Sequence, residues 1–132
     1  MGFSITRYEH VGIRVTDRDR AIAFYQSLGW REEVNLPQYH ANEMVNDAGV
    51  YINLIFNGAK QPDNRNVLQD EPVKLAGFTH AAFVVTDMDD LIATFEKNAI
   101  NITDGPVIYS DRRRVIFIRD PDGNVLEFNE IL

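Results

Sequence analysis

Apolar and polar positions alternate along this chain in two formats, and each format occurs twice. Val11 to Val15 and Ala81 to Val85 are short apolar runs, rich in β-branched side chains and of strand length. Each is followed by an Asp or Thr able to cap a helix, Thr16 or Asp17 in the first case and Thr86 or Asp87 in the second. Apolar residues then recur at helical spacing: Ala21, Phe24, Tyr25 and Leu28 up to Gly29, and later Leu91, Ile92 and Phe95. Three strand-like pieces follow each helix. They are placed at Arg31 to Leu36, His40 to Asn46 and Val50 to Phe56, then at Ile102 to Tyr109, Arg114 to Arg119 and Val125 to Asn129.

The two sets are copies. Glu9 to Gln26 lies over Thr79 to Glu96 without a gap, at an offset of 70 positions, the difference between His80 and His10. His10 falls on His80, Val15-Thr16-Asp17 on Val85-Thr86-Asp87, and Tyr25 on Phe95. Each copy reads as βαβββ, giving an α+β fold of two tandem modules in one domain spanning residues 1–132. The modules cover about residues 5–57 and 78–132. The segment Gly58 to Gly77, rich in Asn, Asp, Gln and Pro, has the composition of a linker or crossover. Asp47-Ala48-Gly49 and Asp120-Pro121-Asp122-Gly123 supply turn chemistry for corresponding hairpins.

Strand alternation converts this pattern into a candidate site. If Val11, Ile13 and Val15 face the helix, then His10, Gly12 and Arg14 share the opposite face, as do His80, Ala82 and Val84 in the second copy. Leu126 and Phe128 suit the helix side of the last strand. That turns Val125, Glu127 and Asn129 toward the same cleft. A carboxylate there breaks an apolar pattern and is costly unless paired. The chain has 0 cysteines, so a metal must be held by nitrogen and oxygen. Two histidines and one carboxylate, His10, His80 and Glu127, leave positions open for water and substrate, which is a catalytic arrangement. Iron, manganese, nickel, cobalt and zinc all suit such donors.

Charge narrows the partners. With 20 acidic against 13 basic residues, the net charge of −7 disfavours nucleic acid and anionic membranes. No apolar stretch approaches the ~18 residues that span a bilayer. Residues Met1 to Tyr8 lack a secretory leader, so a cytoplasmic location is the plain expectation.

These residues resemble the vicinal oxygen chelate superfamily, which includes glyoxalase I, extradiol dioxygenases, fosfomycin resistance enzymes and bleomycin resistance proteins. The resemblance rests on Glu9-His10-Val11-Gly12, Thr79-His80-Ala81-Ala82 and the stretch Arg119-Asp120-Pro121-Asp122-Gly123-Asn124-Val125-Leu126-Glu127-Phe128. It implies curved mixed sheets around one divalent metal ion, with ligands from the first and last strands of each module. By position these are His10, His80 and Glu127. Asn53 falls opposite Glu127, an amide where glyoxalase I-like enzymes carry a carboxylate or its equivalent. A glyoxalase-like lyase or isomerase acting on a small oxygenated molecule is slightly favoured, with Glu127 as the catalytic proton carrier. The alternatives are an extradiol-type dioxygenase with Fe(II), and a metal-free ligand-sequestering protein like the bleomycin resistance proteins. Fosfomycin-type chemistry ranks third, because Val107 to Arg114 lacks those enzymes' potassium- and phosphonate-binding run. The resemblance also implies a homodimer, with modules paired within one chain or swapped between two. Asn53, Arg14, Tyr109 and Arg114 are candidate substrate-binding residues, the arginines for an anionic group; solvated arginines are the plainer alternative. His40 and Tyr51 suit structural or rim positions.

Overall fold

A computed structural model describes residues 2–132. In the first module, strand β1 (Val11–Arg14), helix α1 (Arg18–Ser27), β2 (Arg31–Leu36), β3 (Ala41–Val45) and β4 (Tyr51–Ile55) follow in order. The second repeats this plan with β5 (His80–Val84), α2 (Met88–Lys97), β6 (Ile102–Tyr109), β7 (Arg113–Arg119) and β8 (Val125–Ile131). The first sheet runs β1-β4-β3-β2 and the second β5-β8-β7-β6. In each, the opening strand lies parallel to the last strand of its own module, while the remaining neighbours pair antiparallel. A parallel pair needs a crossover, which the helix and the middle strands provide.

Both helices start where the sequence offers a cap. Asp17 accepts from the Arg20 amide and Asp87 from the Asp90 amide, each at 3.0 Å, satisfying a donor otherwise orphaned in the first turn. Ala21 and Tyr25 of α1 and Met88 and Phe95 of α2 are buried. They join Ile13, Val15, Ile52, Leu54, Ile116, Ile118, Leu126 and Phe128 in one hydrophobic core that spans both modules. Aromatic rings stitch the halves together edge to face or tilted: Tyr25 to Trp30 at 6.0 Å, Trp30 to Phe83 at 5.2 Å, Phe83 to Phe128 and Phe128 to Phe95 at 5.8 Å each. The helix-facing sides of both sheets are thus used up in this shared core. The other face of each sheet is directed away from it.

A polar latch reinforces the junction. Asp120, at the β7–β8 turn, accepts from the Asp122 and Asn124 amides at 2.9 Å and from the Tyr25 hydroxyl of α1 at 2.8 Å. Asp122 accepts from the Thr16 amide at 3.1 Å, the Thr16 hydroxyl at 2.6 Å and Arg20 at 2.8 Å. In the first hairpin Asn46 plays the turn role of Asp120, accepting from the Ala48 and Val50 amides.

The crossover Gly58 to Gly77 contains no strand or α-helix, only a 3-10 turn at Pro62–Asn64. It is nevertheless held firmly against the second hairpin. Arg119 donates to both carboxylate oxygens of Asp70 at 2.7 and 2.8 Å, and Asn66 donates to the Gly123 carbonyl at 3.0 Å. Gly123 has φ +83°, and a Cβ there would stand 2.1 Å from the Asn64 carbonyl oxygen, so glycine is required on both counts.

Candidate metal centre

Register fixes which side chains share the open face of the second sheet. Ala82 lies beside Glu127 and Glu127 beside Phe117, while Val84 neighbours Asn129 and Asn129 neighbours Val115. Alternation adds His80, Arg113 and Arg119 to that face. Glu127 and Asn129 form its floor, buried at 8% and 4% exposure although they point away from the core.

Glu127 is held by several neighbours. Its Oε1 lies 3.2 Å from His80 Nε2, its Oε2 accepts from the Asn129 amide nitrogen at 2.7 Å, and Arg113 Nη1 stands 3.9 Å from Oε2. The His80 ring also meets the edge of Phe117, with centroids 5.6 Å apart. On its other side His80 engages the Thr79 hydroxyl through Nδ1 at 2.8 Å. His10 repeats this arrangement in the first module, with Nδ1 2.9 Å from Glu9 Oε1. In both copies the residue before the histidine occupies Nδ1 and leaves Nε2 for another partner. Such contacts set the tautomer and aim of ligating imidazoles.

One chain brings two of the three candidate ligands together. His80 and Glu127 are in contact, whereas His10 sits on the open face of the first sheet. Among the described residues no group of three His, Asp or Glu side chains lies close enough to hold an ion. The pair His80 and Glu127 fits half of an N/O donor set for a borderline divalent ion.

The remaining candidates separate by strand parity. Asn53 pairs with Gly12 in register and is half-buried on the open face of the first sheet. Tyr51 shares that face, where Glu33 chiefly, with burial and with Glu43 and Glu9, pushes its hydroxyl pKa up. Arg14 donates from Nε to Asn57 at 3.0 Å and borders a cavity of about 190 Å³ with Thr16, Gly58 and Asp122. Tyr109 is on the open face of the second sheet. Arg114 is not: it lies one position out of phase, beside Glu130, and its guanidinium pairs with Asp89 of α2 at 3.1 Å. Alternation therefore places Arg113, not Arg114, on the open face, with its guanidinium 5.7 Å from the Tyr109 ring centroid. Counting alternate residues back from Phe117, the register partner of Glu127, could have found Arg113. His40 closes a 3-10 turn at Pro37–Tyr39 in left-handed conformation, φ 52°, a structural position.

The fold and this open face define the class: a protein of paired βαβββ modules, with Glu127 and Asn129 of the second sheet on the face turned away from the helices. Residues 7–128 match the model of the Glyoxalase/Bleomycin resistance protein/Dioxygenase superfamily, and the chain belongs to that family. A glyoxalase family protein from Bacillus cereus matches with a TM-score of 0.71 at 21% identity, covering 99% of this chain and 97% of that one. A glyoxalase/dioxygenase from Nostoc punctiforme gives 0.73 at 21%, covering 96% and 91%. A virulence protein from Salmonella typhimurium gives 0.69 at 23%, covering 98% and 100%. At these identities the structural likeness speaks for the fold. No curated protein matches the sequence.

Proposed function

We propose that this chain is a divalent-metal-dependent enzyme acting on a small oxygenated organic molecule, with a glyoxalase-like lyase or isomerase reaction favoured. The observation that carries this reading is the matched presentation of His10 and His80. Each has Nδ1 occupied by its preceding residue and Nε2 left available, and one of them already contacts the buried carboxylate of Glu127. His10, His80 and Glu127 are the ligands in this account. A homodimer supplies what one chain lacks, the first-module face of one copy meeting the second-module face of another. Apolar side chains stranded on the open face of the second sheet support such a contact: Val84 is 70% exposed and Ile131 59%.

Held by His10, His80 and Glu127, a divalent ion would supply Lewis-acid stabilisation of negative charge developing on substrate oxygen. Glu127 supplies the proton-carrying group, its Oε2 held by Asn129 and its Oε1 beside His80. The low exposure of this floor keeps water from competing for the same proton. A single carboxylate in the donor set, with the amide of Asn53 in the corresponding position of the first module, also suits an Fe(II) dioxygenase.

Elemental analysis of protein purified without chelators, beside His80→Ala and Glu127→Ala, tests the reading. Near-stoichiometric metal in the wild type, lost in both variants, supports it; iron would favour the oxygenase reaction, and nickel, cobalt or zinc the lyase or isomerase. A wild type that stays empty after metal titration would overturn it in favour of a ligand-sequestering protein.

A further inference from the structure

The repeat that pairs His10 with His80 continues upstream, into lead-in segments 2–9 and 72–79 that contain neither helix nor strand. At the same offset Phe3 falls on Val73, Ile5 on Leu75 and Tyr8 on Phe78. Every residue of both segments is exposed, and these six apolar side chains stand between 62% and 97% open to solvent. Single apolar residues scattered on a surface are ordinary, but the same three positions left open in both copies make two matched apolar segments. Each lead-in runs into the outermost strand of its sheet, β1 or β5, whose free edge leaves backbone groups without a partner strand. Tyr8 and Phe78 stand two positions before His10 and His80.

We infer that these lead-ins are the surface on which two copies of this chain pair, residues 2–9 of one against residues 72–79 of the other. Within one chain neither segment is covered. A two-fold pair brings the first lead-in of each copy to the second lead-in of its partner, so one arrangement covers all four. The area agrees with a second copy as the occupant. Phe3, Tyr8 and Phe78 of two chains would together bury on the order of 1,000 Å² when covered. Ile5, Val73 and Leu75 add to this and carry the contact to the roughly 1,200 Å² at which specific pairs begin. The same contact sets the histidines that follow the lead-ins, His10 of one copy and His80 of the partner subunit, side by side. The inference deepens the metal-dependent reading and rests on it for the choice of facing segments, although the apolar contact itself needs no metal.

Analytical ultracentrifugation measures the pairing in wild type, in a chain carrying Tyr8→Ser and Phe78→Ser together, and in Val67→Ser, which alters an exposed apolar residue of the crossover. Wild type and Val67→Ser are expected to sediment as two chains. The serine pair should raise the dissociation constant about a hundredfold or more. Its far-UV spectrum should be unchanged, because both rings are exposed in the single chain. Crosslinking checks the arrangement. The chain has 0 cysteines, so Tyr8→Cys and Phe78→Cys proteins can be mixed, refolded together and joined by a short bismaleimide. Covalent dimers holding one chain of each kind are expected, with few from either protein alone. The inference is overturned if wild type is a monomer, if the serine pair dimerises as tightly as wild type, if Val67→Ser weakens pairing as much, or if like positions crosslink better than unlike ones. Dimers that are lost in the serine pair but form in protein that takes up no metal would uphold the pairing surface and overturn the metal reading instead.

Discussion

Among single residues, Asp120 shows how a carboxylate can be structural in a chain that also carries a candidate catalytic one. Burial pushes its pKa up, against hydrogen bonds from Asn124, Tyr25 and the turn amides that favour the ionised form. Burial likewise pushes the Tyr25 hydroxyl far up, so tyrosine remains the donor in that contact. Because the folded carboxyl titrates above its unfolded value, the folded state binds the extra proton between those values. The contribution of Asp120 therefore weakens as pH rises through its folded pKa. Removing one donor should worsen the ionised form most. Tyr25→Phe is expected to cost about 1–3 kcal/mol in urea unfolding, with a larger loss at pH 7 than at about pH 3, below the ordinary carboxylate value; an equal loss at both would show that Asp120 is not the partner that matters. The candidate ligands His10, His80 and Glu127 were legible residue by residue, since a repeat offset and strand alternation suffice to put them on open faces. Arg113 and Arg114 were not separable that way. Their phase is set by the register of β7 on β8, which pairs Phe117 with Glu127, and that register comes from the fold rather than from local periodicity.

At the level of elements, the β7–β8 hairpin and the crossover behave as one unit. Gly123→Ala would force a Cβ into the Asn64 carbonyl and hold a non-glycine residue at positive φ. A loss of about 1–3 kcal/mol in chemical unfolding is expected, with the far-UV spectrum preserved; a neutral substitution would mean the crossover does not rest there in solution. The Arg119 hydrogen bonds hold the Asp70 carboxyl well below the usual carboxylate range, helped by the Asn66 amide and opposed by burial. On acidification the unfolded chain takes up that proton first. The stability from Asp70 is therefore complete above its ordinary pKa near ~3.9 and is lost as pH falls below it. Asp70→Asn should lower the urea midpoint at pH 7 and flatten its decline below pH 4; an unchanged acid slope would rule the pair out as a contributor. Composition marked Gly58 to Gly77 as a crossover without revealing these contacts, because Arg119 and Asp70 are 49 positions apart and no local pattern links them. The strands, helices and caps were legible because each rests on local periodicity and turn residues.

For the whole molecule, the tandem βαβββ plan follows from the repeat, whereas the way the copies meet does not. The Tyr25–Trp30–Phe83–Phe128–Phe95 series of rings joins residues of both modules, and repeat symmetry alone says nothing about such contacts. That shared core commits the helix sides of both sheets and leaves the histidine-bearing faces outward, the arrangement on which the proposal of a centre shared between two chains rests. No helix in the described residues is long and apolar enough to cross a membrane. The most direct test is the metal content of mixed chains. His10→Ala and His80→Ala proteins, each expected to hold no metal, are unfolded together in equal amounts and refolded. If ligands are shared between copies, half of the dimers are mixed and each rebuilds one intact site of two, so about a quarter of the wild-type metal content should return. A mixture that stays empty, while wild type refolded in the same way regains its metal, would contradict a centre shared between chains.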